Sequence, residues 1–264
     1  MNDLTAIVPY RGDAHGIRRR NLDVVLKWLT GAGIPTILAE HSDIPDVELH
    51  VPEGVRRLHV AAGDRPFNKA SACNDGFLHA GTKFIALVDA DTLMEMDAFL
   101  DCASAVRDDL DAVRPYGHLV ELDEPTTIAV ARDAQLPAAL RGARDDTRAG
   151  EQIPLCGGLV ILRAAAYESV GGMDESFEGW GGEDDALSMA LIRSGLRCGV
   201  HDTNTAFHLF HPRSPESRYG HPHYLRNRER AIWWHEAGAA EIAAETHDAR
   251  ERLAARRALL PYSP

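Results

Sequence analysis

Two groups of carboxylates and one pair of histidines carry the chemistry legible in this sequence. The first group is Glu183-Asp184-Asp185, which follows Gly179-Trp180-Gly181-Gly182 and precedes the apolar-faced run at 186–192. Acids placed there sit at a helix N-terminus, where the positive end of the dipole stabilises negative charge. An acidic first turn is the ordinary reading of three acids before a helix. It needs neither paired glycines, which let the backbone turn sharply beside a ligand, nor a tryptophan, whose flat face stacks on a sugar or a base. The second group is Asp89-Ala90-Asp91, which closes the apolar run 84–88. Two carboxylates one residue apart can grip a hard divalent cation together with a ribose or phosphate. Asp-x-Asp also occurs as a solvated turn, so its weight comes from its place after a central strand.

His208 and His211 lie three apart in the strand-like run 205–212. Imidazole suits Mn²⁺, Zn²⁺ or Fe²⁺ better than Mg²⁺. With one carboxylate from Asp91, the pair makes a three-ligand site with open positions for a diphosphate. Phe67-Asn68-Lys69, ahead of a helix, can bring a ring and a cation to a nucleotide, although Phe67 alone reads equally well as core.

The elements that must position these groups alternate between strand and helix. Residues 4–10 form a buried first strand, and Arg11-Gly12-Asp13 follows at its carboxyl end, where open α/β sheets bind ligands. Leu22, Val25, Leu26 and Leu29 give helical spacing over 18–31, stopped by Gly31-Ala32-Gly33. Strands are expected at 34–39, 57–61, 84–88, 159–162 and 205–212, with one or two more in 111–122. Helices are expected over 67–77, 96–106 and after Gly182. The alternation predicts an α/β fold with a mostly parallel sheet. Over 123–150 charged residues, alanine and two prolines alternate, and 141–150, which has no apolar period, reads as a mobile loop. The tail from Tyr224 to Leu260 predicts one or two helices packed by Leu225, Ile232, Trp233, Trp234, Ile242 and Leu253.

The chain has 264 residues, 45% of them hydrophobic, and a formal charge of −12. That suits one large or two closely joined domains. An overall acidic field disfavours a nucleic-acid partner, despite a locally basic stretch holding Arg213, Arg218, Arg226, Arg228 and Arg230. No apolar run is long enough to span a bilayer and no signal segment opens the chain, so the expected location is the cytoplasm. Cys73, Cys102, Cys156 and Cys198 form no Cys-x-x-Cys pair and read as reduced thiols.

Taken in order, these pieces resemble the GT-A glycosyltransferases, and within them the β-1,4-galactosyltransferase and polypeptide N-acetylgalactosaminyltransferase-like group. Ile7-Val8-Pro9-Tyr10-Arg11 is similar to the family's opening strand and donor loop. Phe67-Asn68-Lys69-Ala70, then Asn74-Asp75-Gly76-Phe77, is similar to its Phe-Asn-Arg-Ala…Asn-x-Gly-Phe helix. Val88-Asp89-Ala90-Asp91 matches its Asp-x-Asp motif. Gly157-Gly158, Gly171-Gly172-Met173 and Gly179-Trp180-Gly181-Gly182-Glu183-Asp184-Asp185 match its most specific block. The resemblance runs from about Ile7 to Pro212.

The resemblance implies a GT-A (Rossmann-like) mixed, mostly parallel sheet flanked by helices, with a C-terminal helical tail. Residues 1–212 would form the glycosyltransferase domain, with a nucleotide-binding half at 1–92 and an acceptor and catalytic half at 93–212. Residues 213–264 would be a basic loop and helical extension. Pro9, Tyr10, Arg11, Phe67 and Lys69 would surround the base and ribose, Asp89 would lie near the ribose, and Ala90 and Gly158 would complete the donor site. Trp180 and Gly181 would border the sugar, and Glu183 would hold its hydroxyls. Asp91, with His208, His211 or both, would hold Mn²⁺ or Mg²⁺, and Asp184 would be the catalytic base. The donor would be a UDP-sugar and the acceptor a glycan, a protein or a small molecule. Retaining relatives carry Asn where Asp184 stands, which favours inversion.

The chemistry agrees with this assignment. Sugar transfer needs a cation on the leaving diphosphate and a carboxylate to take the acceptor's proton. Departures are the absent membrane anchor and disulfide pattern, and the lack of a clear acceptor loop, for which 141–150 or 212–223 could serve. An Asp-x-Asp phosphatase wants its pair near the start of the fold followed by Gly-Thr, and a nucleotidyltransferase wants a Gly-rich, Arg-containing loop after the first strand. Neither pattern is met. The remaining alternative is an inactive nucleotide-sugar-binding module on the same fold.

Overall fold

The structure is a computed structural model and describes residues 3–133, 136, 144–147, 155 and 157–260. Its centre is a seven-stranded sheet built around β1 (Leu4–Tyr10) and β4 (Phe84–Val88). Every residue of both strands is buried, as strands covered on two faces require. Beside β1 lie β2 (Thr36–Ser42) and β3 (Val55–Ala61), both parallel to it. Beyond β4 come β9 (Leu159–Arg163), β6 (Ala112–Arg114) and β10 (Cys198–Val200). The β9 strand runs antiparallel to both neighbours, and β10 is parallel to β6. The expected mixed, mostly parallel sheet is therefore present.

Alternate residues of the central strands feed two cores, as the period of two demands. Leu4, Ala6, Val8 and Tyr10 pack with α1 (Ile17–Gly31) and α3 (Met96–Asp108). Ile7, Ile85 and Leu87 pack on the other face with α2 (Lys69–Leu78), α5 (Ala164–Ser169), α6 (Glu183–Arg193), α7 (Pro222–Glu236) and α8 (Ala239–Ala258). The C-terminal helices thus share the sheet's own core: Trp234, Ile242 and Leu253 are buried there. Leu225 and Ile232, expected to pack, are instead exposed. Cys73 and Cys102 are buried free thiols and Cys198 is free and half-buried, while Cys156 lies outside the described residues.

A second, four-stranded sheet joins β5 (Thr92–Met94), β11 (Thr205–His208), β7 (His118–Glu121) and β8 (Arg144–Thr147). It corrects several expectations. The last strand ends at His208, four residues before Pro212. Residues 144–147, inside the stretch expected to be a loop, pair antiparallel with β7. Arg-Asp-Asp-Thr has no apolar alternation in the sequence, and its pairing with β7 defines the strand. The rest of 141–150 lies outside the described residues. Glu124–Asp133 forms α4, where no element was expected. Asp123 starts it by accepting a hydrogen bond from the Thr126 amide at 2.9 Å, an N-cap. Only Thr127 and Val130 of α4 are buried, too few to leave an apolar period in the sequence.

Candidate active site

The carboxyl end of β4 opens into the turn Asp89-Ala90-Asp91, which leads directly into β5 of the second sheet. The Asp89 amide donates to the Gly158 carbonyl at 2.8 Å, and the Thr92 amide donates to the Asp89 carbonyl at 3.2 Å. Gly158 sits at φ +51°, and a Cβ there would lie 2.8 Å from Thr92 Cγ2. Only glycine fits both the backbone and the space. The turn is therefore clamped on both sides, and Asp89 and Asp91 point to different partners.

Asp89 faces Lys69, the first residue of α2. Asn68 caps that helix, its side-chain oxygen accepting from the Ser71 amide at 2.8 Å. The cap fixes where the lysine leaves the backbone. Lys69 Nζ lies 2.8 Å from Asp89 Oδ1 and 3.0 Å from each carboxylate oxygen of Asp184. Burial works against the ammonium, but the charges of Asp184, Asp89 and Glu183 outweigh it and hold its pKa well above the usual lysine range. Burial, with the charge of Asp184 second, pushes the Glu183 carboxyl up to about 7.

Asp184 and Glu183 open α6 behind Gly179, Gly181 and Gly182, all at positive φ. The Gly179 amide donates to the Phe67 carbonyl at 2.7 Å, which joins this turn to the start of α2. The tail holds it from the other side. Asn227, buried on α7, donates to the carbonyls of Glu178 and Trp180 at 3.0 and 3.2 Å. Trp180 is 48% exposed and stacks on Tyr224, with ring centroids 6.1 Å apart and planes 11° from parallel.

Asp91 faces the two histidines. His208 Nε2 is 3.5 Å from Asp91 Oδ1, and His211 Nε2 is 3.1 Å from Asp91 Oδ2. One ligand atom from each of the three lies within 4.8 Å of the others. A carboxylate and two imidazoles fit a divalent transition-metal cation, Mn²⁺ among them. Burial raises the Asp91 carboxyl, but His208 and His211 outweigh it and hold it well below the usual range. Burial likewise opposes the His208 imidazolium, yet Asp91 and Glu121 push it up to about 10.

The donor-loop residues are less uniform. Arg11 donates from Nη1 to the Arg65 carbonyl at 2.7 Å, and Phe67 meets His41 edge-on with centroids 5.8 Å apart. Pro9 is buried, and the Tyr10 ring lies in the core at 2% exposure, so Tyr10 offers no ring face to a ligand. The reading from sequence placed Lys69 against the nucleotide and missed its contact with Asp184. It also missed Glu121, which lies 2.9 Å from His208 Nδ1. The signal for Lys69 was its place in the first turn after Asn68. Glu121 at a strand end gave none.

Residues 149–212 match the family model described as the N-terminal domain of galactosyltransferase. Polypeptide N-acetylgalactosaminyltransferase 4 of Mus musculus is 31% identical over 84 residues, which span 31% of this chain and 14% of that protein. The catalytic domain of Drosophila β1,4-galactosyltransferase 7, solved with xylobiose, superposes with a TM-score of 0.52 at 19% identity, covering 90% of this chain and 82% of that one. GalNAc-T7, solved with UDP, GalNAc and Mn²⁺, superposes with a TM-score of 0.58 at 12% identity, covering 93% of this chain and 54% of that one. The chain has the GT-A glycosyltransferase fold. The segment that matches the galactosyltransferase family model carries Gly158, Trp180, Glu183 and Asp184.

Proposed function

We propose that this protein is a metal-dependent glycosyltransferase that moves a hexose or N-acetylhexosamine from a UDP-sugar to an acceptor hydroxyl with inversion. The observation that carries the reading is two sets of contacts joined by the Asp89–Asp91 turn. Asp184 meets Lys69, Lys69 meets Asp89, and two residues on Asp91 meets His208 and His211. A base on α6 and a cation site shared with the second sheet thus meet beside the carboxyl end of β4, as displacement at an anomeric carbon requires.

In this reading Asp184 takes the proton of the acceptor hydroxyl as its oxygen attacks the anomeric carbon. The bond from that carbon to the diphosphate breaks, and its electron pair leaves with the nucleotide. A cation held by Asp91, His208 and His211 would stabilise the charge that develops on the diphosphate. Lys69 supplies a second positive charge beside Asp89 and Asp184. Glu183 and the half-exposed Trp180 border the place where the sugar ring would lie. A base on the face opposite the leaving group gives inversion. The acceptor would be a glycan, a protein or a small molecule. No helix among the described residues is long and apolar enough to cross a membrane. The cytoplasmic location in this reading rests on the free thiols of Cys73, Cys102 and Cys198, which suit a reducing compartment.

The test is thermal unfolding against a panel of nucleotides and nucleotide sugars, with and without Mn²⁺. A ligand that binds only the native state raises the midpoint by mass action. A Mn²⁺-dependent rise with one UDP-sugar, followed by its slow hydrolysis or transfer, is the expected result. Binding without any turnover would instead identify an inactive nucleotide-sugar-binding module, and no rise with any nucleotide would remove the donor assignment.

A further inference from the structure

We propose that Glu121 is a positioning residue for the cation site, fixing His208 so that its Nε2 faces the metal; this rests on the metal-dependent reading above. The register of the second sheet supplies the geometry. His208 on β11 pairs with Thr92 on β5 and with Glu121 on β7. The three residues form a row across the sheet, and Thr92 follows Asp91 directly. The imidazole of His208 therefore lies between two carboxylates, with Nδ1 at 2.9 Å from Glu121 Oε2 and Nε2 at 3.5 Å from Asp91 Oδ1.

A carboxylate accepts hydrogen bonds and donates none, so Nδ1 carries the proton and donates a hydrogen bond to Glu121. A cation held beside Asp91 would meet His208 through Nε2, with the Nδ1–H bond to Glu121 kept. His211 is turned the same way by a different partner. Its Nδ1 lies 3.0 Å from the Pro212 carbonyl while Nε2 faces Asp91. Both imidazoles thus present Nε2 to the same point, one backed by a charged carboxylate and the other by a neutral carbonyl. A carboxylate behind a ligating histidine locks the ring and raises its basicity. Glu121 accordingly makes His208 the stronger of the two imidazole ligands. An ordinary cross-strand ion pair would add a little stability and leave metal affinity unchanged.

The experiment is a Mn²⁺ titration of the purified chain, without donor and with UDP, read by the EPR signal of free Mn²⁺. The proteins are wild type, Glu121→Gln, Glu121→Ala and His208→Ala, each checked by thermal unfolding in the absence of metal. Loss of the carboxylate is expected to weaken Mn²⁺ binding about 10- to 100-fold, while the unfolding midpoint stays near wild type. Glu121→Gln should fall between, because an amide oxygen still accepts from Nδ1 but carries no charge. If Glu121→Ala does not fold, the Gln variant carries the comparison. Wild-type affinity in the folded Glu121 variants, together with loss in His208→Ala, would overturn the assignment. Failure of the wild type to bind Mn²⁺ at all would bring down the cation site of the proposed function, and this inference with it.

Discussion

Lys69 meets both oxygens of Asp184 and one of Asp89, so a single cation sits between the candidate base and the donor turn. Two predictions belong at this scale. Asp184→Asn keeps the shape and loses the base. Sugar transfer should fall by about 10²- to 10⁴-fold with Mn²⁺ and UDP affinity unchanged, and unaltered turnover in an acceptor assay would remove Asp184 from the mechanism. The second concerns Glu183, whose carboxyl is raised from its ordinary 4.5 to about 7 by burial and by Asp184. Between those values the folded protein keeps a proton that the unfolded chain has released. Stability should therefore fall as pH rises through this window. Glu183→Gln has no such titration, so its unfolding midpoint should gain on wild type from pH 4.5 to pH 7. A difference that stays flat across the window would show that Glu183 is not raised.

At the scale of elements, the turn between β4 and β5 decides the site. Gly158→Ala forces a Cβ to within 2.8 Å of Thr92 Cγ2 at φ +51°. The expected cost is about 1–3 kcal/mol, read by urea denaturation. Because the Gly158 carbonyl holds the Asp89 amide, Mn²⁺ affinity should fall as well. A variant as stable and as tight as wild type would show that the turn tolerates the shift. The chain runs from Thr92 into the second sheet, so the same turn that points Asp89 at Lys69 points Asp91 at His208. Thr127 of α4 holds the segment just past β11, its hydroxyl accepting from the Phe210 amide at 2.8 Å, between the two histidines in the chain.

For the molecule as a whole, the C-terminal helices belong to the same core as the catalytic segment. Trp234, Ile242 and Leu253 pack with α2 and α6. Arg230 lies over the Trp233 ring, 4.4 Å from its centroid, and bonds Asp174 at 2.6 Å. Part of the basic stretch is thus spent on packing. A chain ending at Pro212 would uncover that face and release the Trp180 turn from Asn227. It is expected to lose cooperative thermal unfolding, whereas a sharp transition near the full-length midpoint would make the tail a separable extension.

The sequence by itself determined the strands of the central sheet other than β10, the helices that open near Lys69 and after Gly182, and the identity of the groups that carry chemistry. Those features are local: apolar period, capping residues and glycines leave their mark within a few positions of the chain. Only the tertiary structure decided how the groups pair. Lys69 lies 115 residues from Asp184, and Glu121 lies 87 from His208. Which cation meets which carboxylate across such distances is set by sheet order and strand register. The α4 helix and the Arg144–Thr147 strand were silent for a related reason: one buries two residues and the other is defined by its backbone bonds to β7. The ring of Tyr10 turned inward because its strand alternates sides and the tenth position shares the face of Leu4, Ala6 and Val8. A loop at a sheet's edge can announce that it binds a ligand, but the side of the sheet on which each residue falls is settled only when the strands have neighbours.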